Sequence, residues 1–252
     1  MPKLRLDALL HDRGFFASRE QARAAVLAGE VTVNGRPSTK PGVSVPDDAA
    51  IEVARRPRFV SRGGEKLDFA LDRFGIDVHG LIVADIGAST GGFTDCLLQR
   101  GAERVYAVDV GYGQIDYRLR TDPRVVLLER TNVRYLAQLP EAVALAAIDV
   151  SFISLTKVLE PVRRLLRPQG DIVALIKPQF EARRDEVGRG GIIRSRETHA
   201  RVIGRVAAWA SGNGLRVRGL TASPILGGEG NREFLIWLRD DLPEPHGRRT
   251  EQ

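Results

Sequence analysis

Five short apolar runs constrain this chain more than any other feature: "LIVADIG" (81–87), "RVYAVDV" (104–110), "RVVLLE" (124–129), "LAAIDVS" (145–151) and "GDIVALIK" (170–177). Each is too short for a core helix, meets a charged residue at or near its C-terminal end, and is separated from the next by helix-compatible sequence. Continuously apolar strands are covered on both faces, and strands alternating with helices build a doubly wound parallel sheet. The helix "ETHARVIGRVAAWASGNG" and the strands "LRVRGLTASPI" and "EFLIWLRD" extend the same pattern. The expectation over residues 61–242 is therefore an α/β, Rossmann-like sheet with helices on both faces. With 252 residues, a second, smaller domain fits ahead of it.

That smaller domain reads as residues 1–54. "LRLDALLHDRG" brings Leu4, Leu6, Leu9 and Leu10 towards one helical face and stops at Gly14. Ser18 is placed to cap a second helix, "SREQARAAVLAG", which puts Arg19 and Arg23 on a common face. "VTVNGRP" is a strand turning at Asn34-Gly35, and "AAIEV" supplies another strand. The run "RLDALLHDRG…SREQARAAVLAGEVTVNGRPSTKPGVSV" resembles the S-four type RNA-binding domain. That resemblance implies an α+β module whose Arg5, Arg19 and Lys40 meet RNA phosphates, as forked or point cations do; a merely solvated basic surface is the alternative for each. The first 62 residues hold 11 Lys and Arg against 7 Asp and Glu, so they carry most of the net charge of +6. "ARRPRFV" reads as a linker over 55–60, and residues 243–252 as a flexible tail.

Composition excludes several classes. The 43% hydrophobic and 28% charged residues suit a globular fold. A single cysteine, Cys96, and four scattered histidines leave no zinc cluster or internal disulfide, as in a reducing cytoplasm. No apolar run reaches membrane-spanning length, and "MPKLRLDALL" lacks the order of a secretion signal. The expectations are a cytoplasmic protein, no membrane partner and no metal; the oligomeric state is left open, with a monomer favoured over an oligomer.

The loop "DIGASTGGFTD" follows the first apolar run, where such sheets bind ligands. Gly87 to Thr94 fits the phosphate-loop template except that Phe93 stands in place of its lysine. The dinucleotide template fails at Ser89, where the backbone would have to approach a pyrophosphate. What remains is tight turning at Gly87, Gly91 and Gly92 with a strand-end carboxylate, Asp85, and no cation nearby. This suits a phosphate-free cationic ligand, and S-adenosylmethionine carries a sulfonium. Asp109 ends the next strand and can accept ribose hydroxyls, with Val110 beside it. Alternatively, the glycines serve close strand–helix packing alone.

Lys66, Asp149, Lys177 and Glu233 are charged residues in or beside apolar elements, where desolvation is costly unless they pair. Together, "DIGASTGGFTD", "AVDVGYGQ", "IDVSFISL", "LIKPQFE" and "GNREFL" resemble the TlyA family of rRNA 2′-O-methyltransferases, whose catalytic domain is similar to the FtsJ-like enzymes. The resemblance implies a class I S-adenosylmethionine-dependent fold acting on cytidine ribose of small- or large-subunit ribosomal RNA, with ribosomal subunits as partners. It also implies a catalytic Lys66-Asp149-Lys177-Glu233 tetrad. In it Lys177 is the expected base, its neutral fraction raised by burial and by the second ammonium of Lys66. The segment "PQFEARRDEVGRGGIIRS" reads as a mobile lid over RNA and site, with a plain flexible surface loop as the alternative. A non-catalytic ribosome-assembly factor and a cytolysin, after the family's haemolysin name, are the competing functions.

Overall fold

The computed structural model describes residues 2–54, 57–183, 186–228 and 230–241. They form two compact units, Met1–Pro57 and Arg58–Gln252. The expected tail lies outside the described residues.

In the first unit, β1 (Lys3–Arg5) leads into α1 (Leu6–Asp12), followed by α2 (Arg19–Leu27), β2 (Val31–Val33), β3 (Arg36–Ser38), β4 (Ser44–Pro46) and β5 (Ile51–Val53). The helix expected from Leu4 starts only at Leu6: Leu4 is extended and pairs with Val45 of β4, in antiparallel register. Ser18 caps α2 by accepting the Gln21 N–H at 3.2 Å. Asn34 and Gly35 both take positive φ, 52° and 74°, as a two-residue hairpin between β2 and β3 requires. Leu6, Leu9, Leu10, Ala22, Ala25, Val26 and Val31 close a small core.

The second unit contains α3 (Arg62–Phe74), β6 (Ile82–Ile86), α4 (Gly92–Gln99), β7 (Arg104–Val108), α5 (Tyr117–Arg120), β8 (Val125–Leu128), β9 (Val143–Ile148), α6 (Leu159–Arg163), β10 (Leu166–Ile176), α7 (Pro178–Glu181), α8 (Arg196–Gly212), β11 (Leu215–Ala222) and β12 (Phe234–Asp240). Its seven strands run in the order β11-β12-β10-β9-β6-β7-β8. The five runs read from the sequence are parallel neighbours, as expected. β12 is a departure, antiparallel to both β10 and β11, so the sheet is mixed. Alternating side chains divide the core: Val83 and Val105 pack with α3 and α4, while Ala84 and Tyr106 pack with α6 and α8.

Of the expected linker, Arg55 and Arg56 lie outside the described residues, and 58–60 belong to the second unit. Phe59 is buried there against Gly64, and the Val60 N–H donates to Asp95 at 2.8 Å. The strand order reverses between β6 and β9, which opens a crevice beyond their C-terminal ends.

Candidate active site

Gly87 follows β6 in that crevice with φ +89°, and a Cβ there would run into the Asp149 carbonyl at the end of β9. Gly91 (φ +96°) leaves no room beneath the Leu119 side chain. Gly92 has an ordinary φ and serves packing: a Cβ would strike Ser61 Oγ where the first turns of α3 and α4 meet. Phe93 is buried beside them and packs on Gly63. Ser89, at the failed dinucleotide position, holds φ +50° and donates its N–H to Asp109 Oδ2 at 2.8 Å. Gly111 donates to the other oxygen at 2.6 Å, so backbone amides orient the Asp109 carboxylate.

Asp109, exposed Val110, Asn132 and Ile153 line a cavity of about 500 Å³ alongside this loop. Its chemistry fits a nucleoside carrying an amino-acid arm: an oriented acid for ribose hydroxyls, apolar side chains for a base, and no lysine or arginine to oppose a sulfonium. Asn132 was not anticipated; its Oδ1 accepts the Arg134 N–H at 3.1 Å, leaving the amide NH2 free to donate.

Asp85 departs from its expected place facing the ligand. Its carboxyl is fully enclosed, lines neither cavity, and accepts the Thr94 N–H and Oγ1–H at 2.8 and 2.6 Å. It ties the first turn of α4 to β6. Burial, with the Asp149 and Asp109 charges adding to it, pushes this carboxyl up to about 7 despite the Thr94 bonds.

A second cavity of about 250 Å³ adjoins the first, and the two share Gly87, Ser89, Asp149 and Ser151. Lys66 and Lys177 both line it. The structure joins the four expected residues as two ion pairs, Lys66–Glu233 at 2.5 Å and Lys177–Asp149 at 2.6 Å. Glu233 lies beneath Lys66 with 3% of its side chain exposed, and Gly227 makes room for its carboxylate. Ser151, which sequence reasoning missed, accepts from Lys177 Nζ at 2.8 Å. At the rim Phe152 is 90% exposed, holds φ +63° and packs against Phe180 with ring centroids 4.9 Å apart and the planes tilted by 46°.

The expected lid is anchored at both ends. Glu181 is buried and accepts from Leu155 N and Ser154 Oγ, and the buried Asn231 side chain bonds Ile193 N and Gly191 O, each at 2.9 Å. Arg184 and Asp185 lie outside the described residues.

In the first unit, Arg5 and Arg19 converge on the buried carboxylate of Asp7 at 2.8 and 3.4 Å. The Arg5 guanidinium also packs over Gly42, two residues beyond exposed Lys40.

A profile described as FtsJ-like methyltransferase matches residues 59–240, and one described as S4 domain matches residues 4–51. The chain belongs to the FtsJ-like methyltransferase family. This FtsJ-like methyltransferase is 49% identical to YqxC of Bacillus subtilis over 94% of its own length and 85% of the relative's. It is 46% identical to the 16S/23S rRNA (cytidine-2′-O)-methyltransferase TlyA of Mycobacterium tuberculosis, over 94% and 90%. A solved structure from Streptococcus thermophilus that carries the name haemolysin superposes with a TM-score of 0.72 at 46% identity, covering 95% of this chain and 89% of that one.

Proposed function

We propose that this FtsJ-like methyltransferase transfers a methyl group from S-adenosylmethionine to the ribose 2′-hydroxyl of cytidine in ribosomal RNA. The observation that carries this reading is the junction of the two cavities: Asp149 lines both, so the residue beside the nucleoside-shaped trough is also the partner of a partly buried lysine. S-adenosylmethionine supplies an electrophilic methyl on a sulfonium when bound, with Asp109, Val110, Asn132 and the Gly87–Phe93 loop to hold it.

A ribose hydroxyl is a weak nucleophile, so its proton has to leave as its oxygen attacks. Lys177 takes that proton on Nζ. Asp149 orients Lys177 and places negative charge at the junction. Glu233 fixes Lys66, whose ammonium stands at the wall of the same cavity. Exposed Phe152 offers a stacking face for a splayed-out base. In the S4 domain, Arg5, Arg19 and Lys40 contact RNA phosphates and bring the enzyme to ribosomal subunits. A lytic role, after the haemolysin name of a relative, leaves the two lysine–carboxylate pairs unexplained, and no described helix is long and apolar enough to cross a membrane.

Radiolabelled S-adenosylmethionine, offered with isolated ribosomal subunits and naked rRNA, tests this reading. The native chain should label a ribose 2′-oxygen, and Lys177→Ala should bind cofactor yet lose roughly 10²- to 10⁴-fold in rate. A variant as active as the native chain removes the base. Cofactor binding without labelling of any RNA by the native chain points to the assembly factor.

A further inference from the structure

We propose that Ser151 is a positioning residue for Lys177, one that turns the lone pair of the neutral amine into the reaction cleft. The inference rests on the assignment of Lys177 as base. Lys177 Nζ donates a hydrogen bond to Ser151 Oγ at 2.8 Å and forms an ion pair with Asp149 Oδ1 at 2.6 Å. Both come from the segment that directly follows β9, two residues apart. The same three side chains line the smaller cavity.

A tetrahedral nitrogen bonded to Cε has three remaining positions. In the ammonium form all three are N–H bonds, of which Ser151 receives one. In the neutral amine two N–H bonds remain: Ser151 holds one, and the negative potential of the Asp149 carboxylate disfavours a lone pair pointed at it and draws the second N–H to its side. The third position is then left for the lone pair. Without Ser151 no hydrogen bond fixes the amine, and the lone pair exchanges between positions, some of them unproductive. Ser151 thus selects the orientation in which the base can receive a proton, and acts through Lys177 without touching the reacting oxygen.

The test compares the native full-length chain with Ser151→Ala, Ser151→Thr and Lys177→Ala in single-turnover methyl transfer to the rRNA substrate, alongside cofactor affinity by calorimetry. Ser151 is exposed, so the variants should fold, which thermal melting checks. Losing a hydrogen bond to an ionisable group lowers the rate of Ser151→Ala by about 10- to 100-fold, while the KM for RNA and the cofactor affinity stay within about twofold of native. Ser151→Thr, which keeps the hydroxyl, restores most of the rate. Native rate in Ser151→Ala overturns the proposal, and so does a loss that appears in KM or in cofactor affinity, or one that threonine leaves unrepaired. Native activity in Lys177→Ala instead overturns the base assignment, so the two failures are told apart. If Ser151→Ala melts early, Ser151→Cys, close in shape and a weaker acceptor, decides: a rate between alanine and native supports the proposal, and a native rate overturns it.

Discussion

The two units treat charge in opposite ways. In the S4 unit, Arg5 and Arg19 keep 57% and 54% of their side chains exposed while sharing Asp7. In the methyltransferase unit, the side chains of Lys66 and Glu233 are 10% and 3% exposed, and those of Lys177 and Asp149 are 13% and 22%. An exposed pair contributes about 0–1 kcal/mol, whereas taking an ion out of water costs several kcal/mol that pairing only offsets. A buried and a partly buried lysine–carboxylate pair beside one cavity are thus poor devices for stability. On the proposed function they are chemistry that the fold tolerates, while the arginines of the S4 unit, though they share Asp7, keep more than half of their side chains exposed to an anionic partner.

The largest effect that could break this contrast is at Glu233. Glu233→Gln leaves the Lys66 ammonium without its counter-charge, and breaking such a pair costs about 3–5 kcal/mol. Replacing both residues with apolar ones, Lys66→Met with Glu233→Leu, should recover the stability in denaturant melts while methyl transfer stays lost. A Glu233→Gln chain that melts like the native one would show the pair to be as weak as those on the surface. Gly87→Ala comes next. It forces an L side chain to φ +89° against the Asp149 carbonyl, should cost more than about 1 kcal/mol, and should weaken cofactor binding in calorimetry. Unchanged affinity would detach the loop from the cofactor.

A third effect compares two buried aspartates. Burial raises Asp85 to about 7 from 3.8, whereas hydrogen bonds from Arg5 hold Asp7 below the ordinary carboxylate range. Between those two values the folded chain keeps on Asp85 a proton that the unfolded chain releases, so this group's stabilisation falls as pH rises from 3.8 to about 7. The slope is at most about 1.4 kcal/mol per pH unit. Asp7 works the other way, its contribution present above the ordinary carboxylate range and lost as pH falls through it. Urea melts from pH 4.5 to 8 should therefore show a decline that Asp85→Asn flattens; parallel curves would mean that Asp85 is ionised throughout.

Legibility follows the same division. The parallel strands could be read because continuous apolar runs have few other uses, and the Ser18 cap and the Asn34-Gly35 turn because their chemistry is local. Direction of pairing leaves no such mark: β12 is as apolar as its neighbours yet runs antiparallel. β1 and β4 are three residues each, too short for a period to register. Asp85 and Asp149 look alike in sequence, both near the C-terminal ends of central strands. Only the fold distinguishes them, because Thr94 on the next helix encloses the first while Lys177 from another strand meets the second. Ser151 was invisible for the same reason, since a serine gains meaning here only from the lysine brought to it.

The smallest expected effect sharpens the contrast from the exposed side. Lys40 is exposed and two residues from Gly42, over which Arg5 packs. Lys40→Ala should leave stability within about 0.5 kcal/mol of native. If Lys40 meets a phosphate, the slope of log affinity for rRNA against log salt should fall in magnitude by about 0.7–0.9, one contact's worth. Arg5→Ala differs, because it also strips Asp7 of its closer partner, leaving Arg19 at 3.4 Å, and so should lower both stability and RNA affinity. An unchanged salt slope in Lys40→Ala would make that lysine merely solvated and confine the phosphate contacts to the arginines around Asp7.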